Sequence, residues 1–137
     1  MQKNNHAQKS GFALIEIIVA VMIIGIMFGL GYGALKYVQR ARITKTQAKM
    51  QELQTDIRNY EANTNEFPSK IEDLVNRPAN VKGWQGAYAD AEDLKDAWGN
   101  EIQYQRNSKG AKPPYTLYSF GPKGPDASEN EYIKSEI

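Results

Sequence analysis

Few side chains in this sequence could support catalysis or hold a metal through nitrogen or sulfur. The 137 residues include no cysteine and one histidine, His6, which lies in a polar stretch near the start. Without cysteine there can be no disulfides, thiolate zinc sites or cysteine nucleophiles. With one histidine, a Ser–His–Asp triad and a multi-histidine metal site are effectively excluded. The remaining candidates are carboxylates, and their surroundings must indicate what they do.

The charge balance argues against a nucleic-acid partner. Lysine and arginine together number 17, against 16 aspartate and glutamate residues. A nucleic-acid binder usually concentrates basic residues on one face, so we expect no nucleic acid among the partners. The length allows one small domain in addition to the N-terminal segment.

One carboxylate, Glu16, lies inside a long apolar segment. Residues 12–35 carry no other charge. As a helix this run would extend about 36 Å, which is enough to cross the hydrocarbon core of a bilayer. An unpaired carboxylate in a membrane helix costs about 2–3 kcal/mol. Glu16 therefore either reaches toward the lipid headgroups or awaits a positively charged partner.

The residues that flank the apolar run do not form an ordinary signal peptide. The preceding segment, MQKNNHAQKSG, is short and hydrophilic, and charged helix-forming residues follow the run where a small-residue cleavage site would be expected. An uncleaved signal anchor is one interpretation, but it leaves Glu16 unexplained. The positive-inside rule, applied alone, places the C-terminal part in the cytoplasm. The leader contributes Lys3 and Lys9, whereas the other flank contributes Lys36, Arg40, Arg42 and Lys45.

Residues 11–16, Gly-Phe-Ala-Leu-Ile-Glu, resemble the prepilin cleavage motif of type IV pilins and type II secretion pseudopilins. The resemblance implies that a prepilin peptidase cuts between Gly11 and Phe12, removes residues 1–11, and leaves Phe12 to be N-methylated. It also implies that Glu16 neutralises the N-terminal amine of a neighbouring subunit as a fibre grows. Because a buried ion pair selects register more than it adds stability, we expect Glu16 to set the register. The family places the C-terminal domain outside the cytoplasm, contrary to the charge count.

The helical period continues beyond the apolar run. Four apolar residues form a stripe on one side of this helix: Met50, Leu53, Ile57 and Tyr60. They are separated by 3, 4 and 3 positions, and Ile43 lies one heptad before the first of them. No proline interrupts residues 1–67, so we predict one helix from about Phe12 to Asn63. We expect the stripe to pack against a sheet of the same domain, with an oligomer seam as the alternative. Four glycines at positions 25, 29, 31 and 33 loosen the membrane half, and we predict that the segment around Gly29–Gly33 can extend or melt during assembly.

The remaining sequence predicts short elements. Ser69 and Glu72 form a capping-box pattern for a short helix. Residues 102–104 and 115–118 alternate and are rich in β-formers, which indicates an antiparallel hairpin. Residues 120–137 hold few apolar groups and are predicted to form a loop.

Several blocks in this part resemble the major pseudopilin of type II secretion more than an adhesive pilin. They are Phe67-Pro68, Trp84 to Tyr88, Asp96 to Asn100 and Ser119-Phe120-Gly121. The resemblance implies an α+β, type IV pilin-like fold in which one long N-terminal helix, half membrane-spanning and half amphipathic, packs on a small antiparallel sheet with an irregular C-terminal loop. The domains would be a cleaved leader (1–11), an assembly helix (12–35) and an extracytoplasmic domain (36–137). We expect Trp84 and Trp98 to pack in the core.

The implied function is that of a structural, non-enzymatic subunit of the type II secretion pseudopilus. The expected partners are copies of itself, minor pseudopilins, the inner-membrane assembly platform, the prepilin peptidase, and membrane lipid before assembly. The expected location is the inner membrane, crossed once, with the C-terminal domain in the periplasm. Two alternatives are a type IV pilus subunit for adhesion, motility or DNA uptake, and a membrane-tethered enzyme or sensor.

The resemblance also implies a calcium ion in the last loop, held by aspartates and backbone carbonyls. Here Lys123 stands where relatives have a carboxylate. Candidate oxygen ligands that remain nearby are Asp126, Glu129, Asn130 and Glu131, of which Asp126, Glu129 and Glu131 are the expected metal ligands. The alternatives are a solvated acidic tail, or a site in which the Lys123 ammonium substitutes for the metal by pairing with an acidic residue.

Overall fold

The computed structural model describes the backbone of residues 6–137 and the side chains from residue 13 onward. Contacts divide the chain into two compact units, one ending at Val38 and the other comprising Gln39–Ile137. The predicted leader boundary at residue 11 is not tested by this division and stays a prediction.

The long helix predicted from the sequence is confirmed. Helix α1 runs from His6 to Thr64, and the glycines of its apolar part do not interrupt it. It ends where Asn65 adopts a left-handed conformation with φ of 61°. The Asn65 N–H donates to the Glu61 carbonyl at 2.8 Å, which satisfies one of the last carbonyl groups of the helix.

The N-terminal unit presents an apolar helix surface. All side chains from residue 13 to residue 38 are exposed, and most of them are aliphatic or aromatic. By length and composition, α1 contains a segment that could cross a membrane. An apolar surface of this length requires lipid or other protein to cover it.

The apolar stripe on the second half of α1 packs into the core of the C-terminal unit, as predicted. Met50, Leu53, Ile57 and Tyr60 are buried, and Ile43 is half-buried. Their buried partners come from the segments that follow α1 and are Ile71, Leu74, Ala89, Ile102, Tyr115 and Leu117. The stripe is therefore an intramolecular packing surface.

The short helix after α1 forms, but its predicted cap was wrong. A single 3-10 turn spans Ile71–Leu74 with Lys70 at its N-cap, one residue later than the Ser69–Glu72 pattern requires. The Asp73 carboxylate accepts the backbone N–H groups of Ser69 and Lys70 at 3.1 and 3.3 Å. Because the cap lies one residue later than predicted, Asp73 takes the capping role that the sequence pattern assigned to Glu72. A second 3-10 turn spans Ala91–Leu94.

The predicted hairpin is confirmed. Strand β1 (Gln103–Arg106) pairs antiparallel with β2 (Tyr115–Ser119), with Gln103 opposite Tyr118 and Arg106 opposite Tyr115. The inward-facing side chains of β2, Tyr115 and Leu117, are buried in the core, and Thr116 between them is exposed. This alternation is the reason that the strand could be predicted from its sequence.

The last segment is more ordered than the loop that the sequence predicted. A short strand, β3 (Ile133–Lys134), pairs antiparallel with β2 and completes a three-stranded sheet in the order β1-β2-β3. Two 3-10 turns, Gly124–Asp126 and Glu129–Glu131, precede it. The apolar content of residues 120–137 is low, so the tail gains its order from pairing with β2 rather than from a core of its own.

Candidate functional site

The predicted processing site falls where the structure gives backbone only. Gly11 and Phe12 lie within α1, but their side chains lie outside the described residues. Cleavage between them and N-methylation of Phe12 therefore stay predictions from the sequence motif.

Glu16 is a lone carboxylate on an exposed apolar helix face. Across residues 13–38 the only other charged side chain is Lys36, which is twenty residues further on, or about 30 Å along a helix. Within the part of the chain that the structure describes, no salt bridge includes Glu16. Among the described side chains of this segment, none can therefore act as a positive partner for Glu16.

The C-terminal unit contains a buried carboxylate, Asp96, whose role was not predicted from the sequence. Asp96 is only 4% exposed. Its Oδ1 accepts the backbone N–H groups of Trp98 and Asn100, both at 3.0 Å. Its Oδ2 accepts the Ser119 hydroxyl at 2.7 Å, and the Ser119 oxygen in turn accepts the Gly121 N–H at 3.1 Å. Asp96 thus joins the loop before β1 to the end of β2.

Two polar residues of α1 hold the same loop from the other side. The Lys49 ammonium donates to the carbonyl oxygens of Glu92 and Lys95 at 2.8 and 2.9 Å. Thr46 is fully buried, and its hydroxyl oxygen accepts the Ala97 N–H at 3.1 Å. The burial of Thr46 could have been predicted from its position in the sequence, because it falls on the apolar stripe three residues after Ile43 and four before Met50.

The two tryptophans differ in their environments. Trp84 packs against the core, and its indole N–H donates to the Asp73 carbonyl at 2.9 Å. Trp98 is half-buried outside the core cluster, and its indole N–H donates to the Gln39 side chain at 3.2 Å. The prediction of core packing was right for Trp84 and wrong for Trp98, which covers the side of α1 instead.

The three expected calcium ligands are not gathered around one point. Glu131 pairs with the Lys123 ammonium through Oε1 and accepts the Ser128 N–H through Oε2 at 3.0 Å. Glu129 pairs with Lys134 at 3.1 Å, and Asp126 is exposed. Among the described residues, no group of three or more acidic or histidine side chains is arranged to hold a metal ion. Because calcium prefers six to eight oxygen ligands, these separated carboxylates would not hold it by themselves.

The titratable groups with shifted pKa values are spread over the domain. Burial raises the pKa of the Asp56 carboxyl, and the nearby Asp93 and Glu52 carboxylates raise it further. Burial also raises the pKa of the Tyr104 phenol, whose hydroxyl donates to the Pro68 carbonyl at 2.7 Å. The hydrogen bond from Lys123 lowers the pKa of Glu131. Each shift has a local structural cause, and these groups do not converge on one cleft.

Comparison with known proteins covers both units. The family model described as type II secretion system (T2SS), protein G, matches residues 34–136, and the prokaryotic N-terminal methylation motif matches residues 6–32. The chain is 33% identical to type II secretion system core protein G of Xanthomonas campestris pv. campestris over 88% of this chain and 83% of that protein. It is 31% identical to the core protein G of Pseudomonas aeruginosa over 90% of this chain and 92% of that protein.

A solved structure agrees with the fold. The major pseudopilin from the type 2 secretion system of enterohaemorrhagic Escherichia coli aligns with a TM-score of 0.60 at 18% identity, over 74% of this chain and 91% of that chain. The shared fold is the long N-terminal helix with a small antiparallel sheet. Taken with the family match over residues 34–136 and the sequence relatives, these findings show that the chain belongs to the type II secretion system protein G family and is a pseudopilin.

Proposed function

We propose that the chain is made as a membrane-anchored precursor and polymerises into a pseudopilus that helps drive protein export. The observation that carries this proposal is the exposed apolar surface of residues 13–38, which contains one carboxylate, Glu16. The methylation-motif match over residues 6–32 supports it. In the membrane, lipid would cover this surface, and in the fibre the same helices of neighbouring subunits would cover it.

In this proposal the prepilin peptidase removes residues 1–11 and Phe12 becomes the N-methylated first residue. Its amine, which remains positively charged, then pairs with Glu16 of a neighbouring copy. Since removal of either partner would leave an uncompensated charge in an apolar core, the pair penalises any other register. The chain acts through assembly rather than catalysis, with minor pseudopilins and the inner-membrane platform as its further partners. The domain would lie in the periplasm.

The family match over residues 34–136 favours the secretion pseudopilus over an adhesive, motile or DNA-uptake pilus. The matched segment includes the loop that Asp96 organises and the whole sheet.

The test is the intact mass of the protein from its native membrane, together with fibre formation on overexpression. We expect the wild-type mass to lack residues 1–11 and to carry one added methyl group. Glu16→Ala and Glu16→Gln should be processed normally but should form no fibres, whereas Ile18→Ala, a neutral change on the same apolar segment, should form them. A full-length mass would overturn the processing step, and normal fibres from both Glu16 variants would overturn the register role.

A further inference from the structure

The C-terminal loop of this chain contains a cation of its own. Lys123 lies between Gly121 and Gly124, at the position where the family resemblance led us to expect a carboxylate for calcium. Its ammonium pairs with Glu131, which is eight residues further on. The contact therefore closes the loop across both of its 3-10 turns, Gly124–Asp126 and Glu129–Glu131.

Glu131 connects that cation to the backbone. While Oε1 pairs with Lys123, Oε2 accepts the Ser128 N–H at 3.0 Å, and the Glu131 N–H donates to the Ser128 carbonyl at 2.8 Å. The Glu131 carbonyl lies only 3.3 Å from the position that a Cβ would have on Gly121, which has φ of +78°. The start and the end of the loop are thus in close contact at the point where Lys123 and Glu131 meet.

The charges of the loop are almost balanced without a metal ion. From residue 121 to residue 134 there are two lysines and three carboxylates. Glu131 pairs with Lys123 and Glu129 pairs with Lys134, which leaves Asp126 as the one carboxylate of this segment outside an ion pair. A divalent cation here would meet an ammonium group and would have to displace it from its carboxylate.

Other contacts that need no metal hold the same segment. The Tyr132 ring stacks on Tyr118 with centroids 5.0 Å apart and meets the edge of Phe120 at 5.4 Å. The Ser135 N–H donates to the Leu117 carbonyl at 3.0 Å, next to the pairing of β3 with β2. The far end of the loop is therefore fixed by the sheet, and Lys123 has only to close the near end.

We propose that in this chain the Lys123 ammonium takes the place of a calcium ion in the C-terminal loop, so that the loop closes without metal. The pair is at the surface, since the side chains of Lys123 and Glu131 are 67% and 34% exposed. A surface ion pair contributes little to global stability, so its effect is local and is seen in the opening of residues 124–132. The lowered pKa of Glu131 has the same cause.

The experiment measures amide hydrogen exchange of residues 124–132 in the full-length protein in detergent, with 1 mM calcium and with EGTA. Wild-type protection should be the same in both. Lys123→Gln removes the cation without adding a ligand, so exchange should accelerate about twofold to fivefold in both conditions. Lys123→Asp replaces the cation with a carboxylate in the loop that contains Asp126 and Glu131, so exchange should accelerate in EGTA and slow again with calcium. Fluorescence of Trp84 and Trp98 confirms that each variant has folded.

Three results would overturn the proposal. If wild-type protection falls in EGTA and returns with calcium, the loop binds the metal in spite of Lys123. If Lys123→Gln is protected as well as the wild type, or Lys123→Asp does not respond to calcium, the ammonium does not occupy the position of a cation. The result does not depend on polymerisation, since the measurement is made on the unassembled protein.

Discussion

At the residue scale, the Asp96 carboxylate connects two separate parts of the domain. It is buried, and both of its oxygens accept hydrogen bonds, from two backbone N–H groups and from the Ser119 hydroxyl. A buried charge is tolerated only when its hydrogen-bonding capacity is satisfied. The same group therefore shapes the Trp98–Asn100 turn and attaches it to β2.

We predict that Asp96→Ala destabilises the domain by about 2–3 kcal/mol, because it leaves buried N–H groups without an acceptor. Thermal unfolding of the full-length protein in detergent, followed by tryptophan fluorescence, measures the effect. The matched control is Asp126→Ala, which removes an exposed carboxylate and should change stability by no more than about 0.5 kcal/mol. Equal melting temperatures for the two variants would show that the Asp96 network does not stabilise the fold.

At the element scale, the end of α1 depends on a close approach by the following loop. Gly83 has φ of +85°, and a Cβ there would lie 2.2 Å from the Asn63 carbonyl oxygen. Gly110, in the β1–β2 connection, has the same φ of +85° but no atom within 4 Å of its Cβ position. The two glycines therefore share the same φ and differ in what surrounds their Cβ positions.

This pair allows the cost of the contact to be separated from the cost of the conformation. We predict that Gly110→Ala costs about 1 kcal/mol, the strain of a left-handed alanine. Gly83→Ala should cost at least about 2 kcal/mol more, because the loop must also move away from α1. The same unfolding measurement decides the matter. If the two variants are equally stable, the loop can move away from α1 without cost, and the close approach at Asn63 contributes nothing to the free energy of unfolding.

The elements that the sequence predicted correctly are those whose local pattern agrees with their packing. The spacing of Met50, Leu53 and Ile57 is a helical period, and the alternation around Leu117 is a strand period. Strand β3 has two residues and no such pattern, since its pairing to β2 is decided by tertiary contacts. Asp96 and Thr46 were missed as structural centres for a related reason. The structural role of a polar residue can be predicted only when its hydrogen-bond partners are known, and here those partners are distant in the sequence.

At the scale of the whole molecule, the two units pose different physical problems. The C-terminal unit buries its own apolar stripe, whereas residues 13–38 leave an apolar surface entirely exposed. The apolar surface of the first unit must therefore be covered by lipid or by other protein, as the proposed transfer of a subunit from the membrane to a fibre requires. Its direction of insertion is the point at which the flanking charges and the family resemblance disagree.

The absence of cysteine from the sequence makes that direction measurable. We predict that Ser108→Cys, an exposed position in the β1–β2 connection, reacts with a membrane-impermeant maleimide in spheroplasts without lysis. In cells that lack the prepilin peptidase, Asn4→Cys in the leader should react only after permeabilisation. Replacing Lys3 and Lys9 with glutamine should lower the labelled fraction of Ser108→Cys. By the positive-inside rule, the predicted leader would then have no positive charge to balance the four basic residues on the other side of the apolar run, Lys36, Arg40, Arg42 and Lys45. Labelling of Ser108→Cys only after lysis would place the domain in the cytoplasm, and the pseudopilus could not then assemble from this orientation.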